Sequence, residues 1–366
     1  MKYLTPKFFE PIQSNLGPVL KFCDKRELSY LGLSCRFFNQ YLNYDYPHIK
    51  QNAPYPFRNY NKPSKTTSKF EIDNVDNILI LPDNRLALSA KRNLIILDIE
   101  SNQYITSKWQ PYRVSSLAKI SANTIISQSY GGYIDVWDIS EFRHIKSLTN
   151  EPNKFISGIT VLSQELVALL RDQKIEIWNL ETGKCVKEFD GWGWYAPTGL
   201  EKLPDGRLIA GSFHGDIGIW DIEKGECVEK LSGHKGAINC LKVLPNGDLI
   251  SGADDNTIRI WDVKKSKTIR ELKGHTGPIT SVEELPNRCL ISSAYDGTIK
   301  IWNTDDGSFF DLVKTKKPYI GQIKVLPQGN IIVAFENTLE IYHFPFLEMK
   351  SSSVLEPNVK SICNMM

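Results

Sequence analysis

The 366-residue sequence predicts an all-β protein made of seven copies of one repeat, with a small helical segment in front. One observation is a set of bulky residues that recur at a nearly constant spacing: Leu97, Trp137, Trp178, Trp220, Trp261, Trp302 and Tyr342. The intervals are 40, 41, 42, 41, 41 and 40 residues, a period typical of repeat architectures. A second observation is the alternation of apolar and polar residues before each of them, interrupted by short turns, which is typical of antiparallel strands.

The front segment, residues 1–50, does not follow the repeat and has a helical pattern instead. Asp24 followed by Glu27 resembles a capping box at a helix start. Apolar residues then recur at helical spacing: Leu28, Leu31, Cys35 and Phe38. Because so short a helical unit buries little apolar surface, we expect it either to pack on the rest of the protein or to present its apolar face to a partner.

The connector, residues 51–65, contains three prolines and is expected to be extended and fairly stiff. The repeats occupy residues 66–366. Each copy has an apolar strand, a turn, a second strand, a tight turn and a third strand, and a fourth strand leads into the next copy. Residues 66–72 and 350–357 are alternative candidates for the last strand of the seventh copy, and we favour the first.

Composition and motifs exclude several classes of function. The chain is 41% hydrophobic and 23% charged, with a net charge of +2, which gives no reason to expect nucleic acid as a partner. No apolar run suits a signal peptide or a membrane span. The seven cysteines form no CxxC pair and no zinc spacing, so we expect reduced thiols and a cytoplasmic or nuclear protein. With no P-loop or nucleophile motif, we expect no cofactor and no catalysis.

The repeats resemble the WD repeat family, because Trp-Asp ends several copies and Gly-His precedes the next at the family spacing. The resemblance implies a seven-bladed β-propeller. It also implies a buried structural relay in two copies, formed by His234, Ser251, Asp255 and Trp261, and by His275, Ser292, Asp296 and Trp302. These sets combine Ser, His and Asp, but their recurrence with the repeat favours a structural role over catalysis. His214 stands at the relay Asp position of copy four and is interpreted as drift rather than as a metal ligand.

The front segment resembles the F-box family, which docks on the small acidic adaptor of cullin–RING ubiquitin ligases. The residues that fit this pattern are Leu4, Pro6, Phe9, Ile12, Val19, Leu20, Phe22, Leu28, Leu31, Leu33, Cys35 and Phe38. Residues 1–63 carry nine Lys/Arg and four Asp/Glu, which suits an acidic partner. The resemblance implies a substrate receptor of a ubiquitin ligase. The alternatives are a WD scaffold with the helices as a cap, and a bacterial effector that uses a host ligase in the host cytosol.

A propeller receptor would hold its target protein on the face formed by the loops between successive blades. Candidate residues at those positions are Arg92, Arg113, Tyr130, Phe155, Arg171, Trp192, Trp194, Tyr195, Phe213, Asp254, Tyr295, Tyr319 and Phe335. The arginines are expected either to receive an acidic or phosphorylated peptide or to be solvated surface charges. The aromatic run at 192–195 is expected to form either a ligand pocket or a plug over its blade.

Overall fold

The computed structural model describes residues 64–107, 112–150, 156–171, 173–191, 198–285, 289–315, 319–327 and 329–343. These residues belong to one compact unit, Ser64–Phe344. They form 28 β-strands arranged as seven four-stranded antiparallel sheets, and no helix occurs among them. The predicted all-β, seven-bladed propeller is therefore confirmed. The front segment and residues 51–63 of the connector lie outside the described residues.

Each of the first four blades uses four consecutive strands, ordered from the channel outward. Blade one contains β2 (Val75–Ile80), β3 (Leu86–Ala90), β4 (Asn93–Asp98) and β5 (Gln103–Thr106). Blade two contains β6 (Val114–Lys119), β7 (Thr124–Ser129), β8 (Tyr133–Asp138) and β9 (Arg143–Asn150). Blade three contains β10 (Ile156–Val161), β11 (Leu166–Arg171), β12 (Lys174–Asn179) and β13 (Lys184–Asp190). Blade four contains β14 (Thr198–Lys202), β15 (Leu208–Gly211), β16 (Asp216–Asp221) and β17 (Glu226–Ser232).

The last three blades repeat this order, except that the final blade takes its outer strand from the start of the described chain. Blade five contains β18 (Ile238–Val243), β19 (Leu249–Ala253), β20 (Thr257–Asp262) and β21 (Lys267–Lys273). Blade six contains β22 (Ile279–Leu285), β23 (Cys289–Ala294), β24 (Thr298–Asn303) and β25 (Phe309–Lys314). Blade seven contains β26 (Ile320–Val325), β27 (Ile331–Phe335), β28 (Leu339–His343) and β1 (Ser64–Phe70).

Blade seven shows how the ring closes. The strand β1 pairs antiparallel with β28, with Phe70 opposite Leu339 and Ser68 opposite Ile341. Closure by the N-terminal strand, which we favoured, is therefore confirmed, and the propeller has no open seam that would expose raw strand edges. The strand covers 64–70 rather than 66–72, so it takes the last two residues of the predicted connector. The alternative strand at 350–357 lies outside the described residues.

The hydrophobic core lies between neighbouring blades. The second and third strands are buried on both sides, because each sheet is covered by the sheets before and after it. Between blades three and four, for example, Leu170 and Ile177 pack with Leu208 and Trp220. Trp220, Trp261 and Trp302 are among the largest fully buried side chains. The repeated bulky residue thus marks a packing position in each interface.

Antiparallel order fixes what each face of the propeller displays. One face carries the loops that join the fourth strand of a blade to the first strand of the next, together with the turns between second and third strands. We call it the linker face. The opposite face carries the turns between first and second strands and those between third and fourth strands.

Candidate functional site

The predicted relay of blade five forms a continuous chain of buried hydrogen bonds. The indole Nε1 of Trp261 donates to the hydroxyl of Ser251 at 2.8 Å. The Ser251 hydroxyl lies 2.8 Å from Nε2 of His234, and Nδ1 of His234 lies 2.9 Å from Oδ2 of Asp255. Asp255 also accepts from the backbone N–H of Lys235 at 2.9 Å. Burial alone would raise the pKa of Asp255, but these hydrogen bonds hold it well below its usual range.

Blade six repeats the chain with its own residues. Trp302 Nε1 donates to the Ser292 hydroxyl at 2.7 Å, and that hydroxyl lies 2.7 Å from His275 Nε2. His275 Nδ1 lies 3.0 Å from Oδ2 of Asp296. Burial lowers the pKa of His275, which matches a neutral ring that accepts from Ser292 and donates to Asp296. The hydroxyl of Thr298 donates a further bond to Asp296 at 2.6 Å.

These chains have the Ser–His–Asp connectivity of a hydrolase triad, yet their surroundings give the hydroxyls another role. Ser251 and Ser292 are 0% exposed, so a substrate has no access to either oxygen. Each oxygen is also occupied as the acceptor of a tryptophan N–H. The relays therefore join the second and third strands of a blade to the loop that enters it, and they rigidify the linker face.

Arg171 was expected on the target-binding face, and this placement is wrong. The residue is 5% exposed and forms a buried ion pair with Glu176, at 2.9 Å between Nη2 and Oε2. Glu176 also accepts from the indole Nε1 of Trp178 at 2.7 Å. The turn after β11 has two residues instead of the three found in blade five, so Arg171 falls at the last strand position rather than at the turn.

Phe335 was also expected at an exposed turn, and it is 3% exposed instead. Its backbone N–H donates to the carbonyl of Thr338 at 2.8 Å, which closes a two-residue turn after it. Phe335 therefore ends strand β27 and packs inside, as Ala253 does in blade five. Both residues were predicted at turns because the repeat period does not reveal that these two turns are one residue shorter than the turn of blade five.

Four of the predicted residues come together at the mouth of the channel on the linker face. We call Arg113, Tyr130, Tyr295 and Tyr319 the tyrosine patch. Tyr130 is 46% and Tyr295 is 50% exposed, and the rings of Tyr295 and Tyr319 lie 4.9 Å apart between centroids. Burial and the neighbouring Tyr295 raise the pKa of Tyr319. The patch spans blades two, six and seven, which are distant in sequence.

Sequence reasoning missed Asp76, the acidic partner of this patch. The Nε of Arg113 donates to Oδ2 of Asp76 at 2.5 Å, and its Nη2 contacts the other oxygen of the same carboxylate. This bidentate pair joins blade one to blade two and raises the pKa of Arg113. Asp76 offsets the arginine charge, so the patch is chiefly aromatic rather than cationic.

The remaining described candidates lie apart from the patch. Phe213, 53% exposed, lines the channel mouth from the blade-four side. Asp254 accepts from the side-chain amide of Asn239 at 2.7 Å, and Arg92 is exposed at the turn of blade one. Four further candidates lie outside the described residues: Phe155, Trp192, Trp194 and Tyr195.

The central channel has a volume of about 890 Å³ and contains a charged arc that sequence reasoning also missed. Glu283 contacts Lys242 at 3.1 Å on one side and Lys324 on the other. The two lysines hold the pKa of Glu283 below its ordinary value, against the effect of burial. Burial raises the pKa of Glu201, which lines the same channel.

The charged residues of this arc occupy the same position in successive copies of the repeat. The strand register places one residue of each first strand at the same height: Leu79, Ala118, Thr160, Glu201, Lys242, Glu283 and Lys324. Charges therefore alternate through blades four to seven, while the other three blades supply uncharged side chains. Comparing this one position across the seven copies would have found the arc from the sequence.

Two features are absent from the described residues, a cluster of metal ligands and a membrane-spanning helix. In those ranges no group of three or more His, Cys, Asp or Glu side chains is arranged to hold a metal ion. The same part of the chain contains no helix that is long and apolar enough to cross a membrane.

Comparison with known protein families gives two matches, both to the WD domain, G-beta repeat. They cover residues 225–262 and 266–303, which end with the third strands of blades five and six, the two blades that contain the relay. No F-box profile matches the chain. A search of curated proteins finds no match. The chain thus contains WD40 repeats within a seven-bladed propeller, an architecture that suits the binding of protein partners.

Proposed function

We propose that this protein is a non-catalytic receptor that holds a target protein on its linker face and couples it to a ubiquitin ligase. The observation that carries the target-binding half is the tyrosine patch at the channel mouth. The coupling half rests on the F-box-like pattern of residues 4–38 and on the net positive charge of residues 1–63. We expect such a receptor in the cytoplasm or nucleus, or in the host cytosol if it is a bacterial effector.

The tyrosine patch has the properties of a binding hot spot. Tyrosine offers a large contact area at a low cost in side-chain entropy, together with a hydroxyl for hydrogen bonds. Tyr130 and Tyr295 are half exposed, while the relay of blade six and the Arg113–Asp76 pair hold the surrounding loops in place. A prearranged surface loses less entropy when it binds.

The charge of the patch favours one class of target. Asp76 already pairs with Nε and Nη2 of Arg113 and offsets its charge, so this arginine is a weakened anchor for a phosphate. We therefore propose that recognition depends mainly on apolar and hydrogen-bonding contacts. An acidic or phosphorylated target remains the alternative, and binding would then weaken steeply with salt.

The target-binding half is tested with the double variant Tyr130→Ala, Tyr295→Ala. Proteins captured by the wild type are identified, and their affinities are measured for the wild type, the double variant and Ile145→Ala. Ile145 is 47% exposed on the outer strand of blade two, so it is a matched control away from the patch. Losing two hot-spot aromatics should weaken binding at least about 30-fold, whereas the control should be unchanged. Equal affinities for all three proteins would contradict this half.

The coupling half is tested separately with the ligase adaptor. The full chain and a Leu20→Asp, Leu31→Asp variant are each purified with the adaptor, and complex formation is measured. We expect a stable complex for the wild type and for the double tyrosine variant, and none for the double aspartate variant. If the wild type forms no complex, the protein is a WD scaffold without a link to ubiquitin. If the aspartate variant still binds, the F-box interpretation of residues 4–38 is wrong.

A further inference from the structure

The outer strand of blade one, β5, differs from the outer strands of the other six blades. Each of those six pairs with its neighbour through a register irregularity, the mark of a β-bulge, whereas β5 pairs in continuous register. Each of the six also contains at least one charged side chain, while β5 has the uncharged sequence Gln-Tyr-Ile-Thr. Bulges and charges are the usual devices that prevent a strand edge from pairing with another chain. The edge of β5 has neither.

The edge of β5 is also apolar and accessible. All four of its residues are exposed, with Tyr104 at 54% and Ile105 at 48%. Its inner side is firmly held, because the N–H of Ser107 donates to the carbonyl of Leu94 at 2.8 Å and the Ser107 hydroxyl accepts from the Leu94 N–H at 3.0 Å. A strand fixed along one side and exposed along the other is a template for strand addition.

The register shows which backbone groups point outward. Thr106 lies opposite Ile95, Ile105 opposite Ile96 and Tyr104 opposite Leu97. Because Ser107 is hydrogen-bonded to Leu94 and such pairs alternate along an antiparallel ladder, Ile105 also faces inward with its backbone groups. Tyr104 and Thr106 therefore direct their N–H and C=O groups away from the blade.

We propose that β5 pairs with β5 of a second copy of this chain, forming an antiparallel two-fold dimer. Setting Tyr104 opposite Thr106 of the other copy uses all the outward groups and forms four main-chain hydrogen bonds. The two Ile105 residues then meet at the two-fold axis as a close non-hydrogen-bonded pair, and each tyrosine lies beside a threonine. An antiparallel pair of identical strands satisfies two-fold symmetry without any further adjustment.

Charge explains why a second copy suits this edge and no other outer edge of the propeller. A strand that pairs with its own copy brings its charges close to identical ones, as the lysines of β13 or β21 would be. The strand β5 carries no charge and so meets no such repulsion. Since only four residues pair, the buried area falls below that of a stable dimer, and the association is weak and concentration-dependent.

The proposal is tested by sedimentation equilibrium of the full chain from about 10 µM to 1 mM. The variants are Ile105→Lys and Val186→Lys, which place the same charge on an unbulged and on a bulged outer edge. Val186 is 57% exposed at the irregularity of β13, so both substitutions are tolerated by the fold. We expect the wild type and Val186→Lys to dimerise, and Ile105→Lys to dimerise at least 10-fold more weakly, with unchanged thermal midpoints.

A second measurement follows the backbone directly. In the dimer, amide hydrogen exchange of Tyr104 and Thr106 should slow as the protein concentration rises, while that of Val186 should not change. A monomer at every concentration would overturn the proposal. So would a dimer that Ile105→Lys leaves intact, or exchange at Tyr104 and Thr106 that does not depend on concentration. None of these results bears on target binding or adaptor docking, which other residues mediate.

Discussion

Blades three and five use different residues to accept a hydrogen bond from their repeated tryptophan. Each buries the N–H of its repeated tryptophan, which must find an acceptor. In blade five Ser251 is that acceptor, and the relay continues through His234 to Asp255. In blade three Leu169 occupies the position of Ser251 and cannot accept a hydrogen bond, so the carboxylate of Glu176 accepts instead.

A carboxylate in that position needs a positive partner, and Arg171 supplies it from the end of β11. The repeat therefore fixes the position of a buried tryptophan whose N–H needs an acceptor. It does not fix which residue supplies that acceptor. Blade four makes the same point, because Trp220 donates to the backbone carbonyl of Asp190 at 3.3 Å. Blades three and four therefore lack the relay and still keep their four-stranded sheets.

The largest expected effect comes from breaking the ion pair of blade three. Glu176→Ala leaves the guanidinium of Arg171 buried without its carboxylate and should reduce the free energy of unfolding by about 3–5 kcal/mol. The control is Glu188→Ala, which removes an ion pair with Lys174 whose side chains are about half exposed and should cost far less, because solvent screens the pair. Urea unfolding monitored by tryptophan fluorescence compares them. Similar losses for the two variants would contradict a structural role for the buried pair. Arg171→Leu combined with Glu176→Leu should recover only part of the loss, because the indole N–H of Trp178 still lacks its acceptor.

A smaller effect is expected from the relay of blade five. Ser251→Ala removes the acceptor of Trp261 and the partner of His234, and it should cost about 2–3 kcal/mol because both groups stay buried. In Trp261→Phe the N–H is absent, so adding Ser251→Ala should cost less than it does in the wild type. A double-mutant cycle from unfolding curves measures this coupling. Strictly additive losses would show that the hydroxyl and the indole do not interact.

The smallest effect concerns the pH dependence of stability and tests the relay of blade six. Burial lowers the pKa of His275 below its ordinary value of 6.5, while Asp296 opposes this shift. The unfolded chain then binds the proton more readily, so stability from this group is complete above pH 6.5 and is lost as the pH falls from there toward the lowered pKa. His275→Gln should flatten the dependence of the unfolding midpoint on pH between 7 and 5, when compared with the wild type. An unchanged slope would show that His275 titrates alike in both states.

The sequence by itself determined the number of repeats and the strand order within each one, and the resemblance to the WD repeat family implied the composition of both relays. It could do so because the 40- to 42-residue period and the alternation of strands and turns are local properties of each copy. It left two candidates for the closing strand, and the preference for the N-terminal one came from the resemblance to the WD repeat family; the structure confirms that choice with the bounds Ser64–Phe70.

Only the tertiary structure decided which residues reach the surface and which side chains meet. Arg171 and Phe335 end buried strands instead of beginning exposed turns, because the turns after them are one residue shorter than in blade five, a difference too small to change the period. The tyrosine patch, its partner Asp76 and the charged arc around Glu283 are built from side chains that different blades contribute. Such contacts form only when the blades pack side by side around the channel, so the pattern within any single copy does not reveal them.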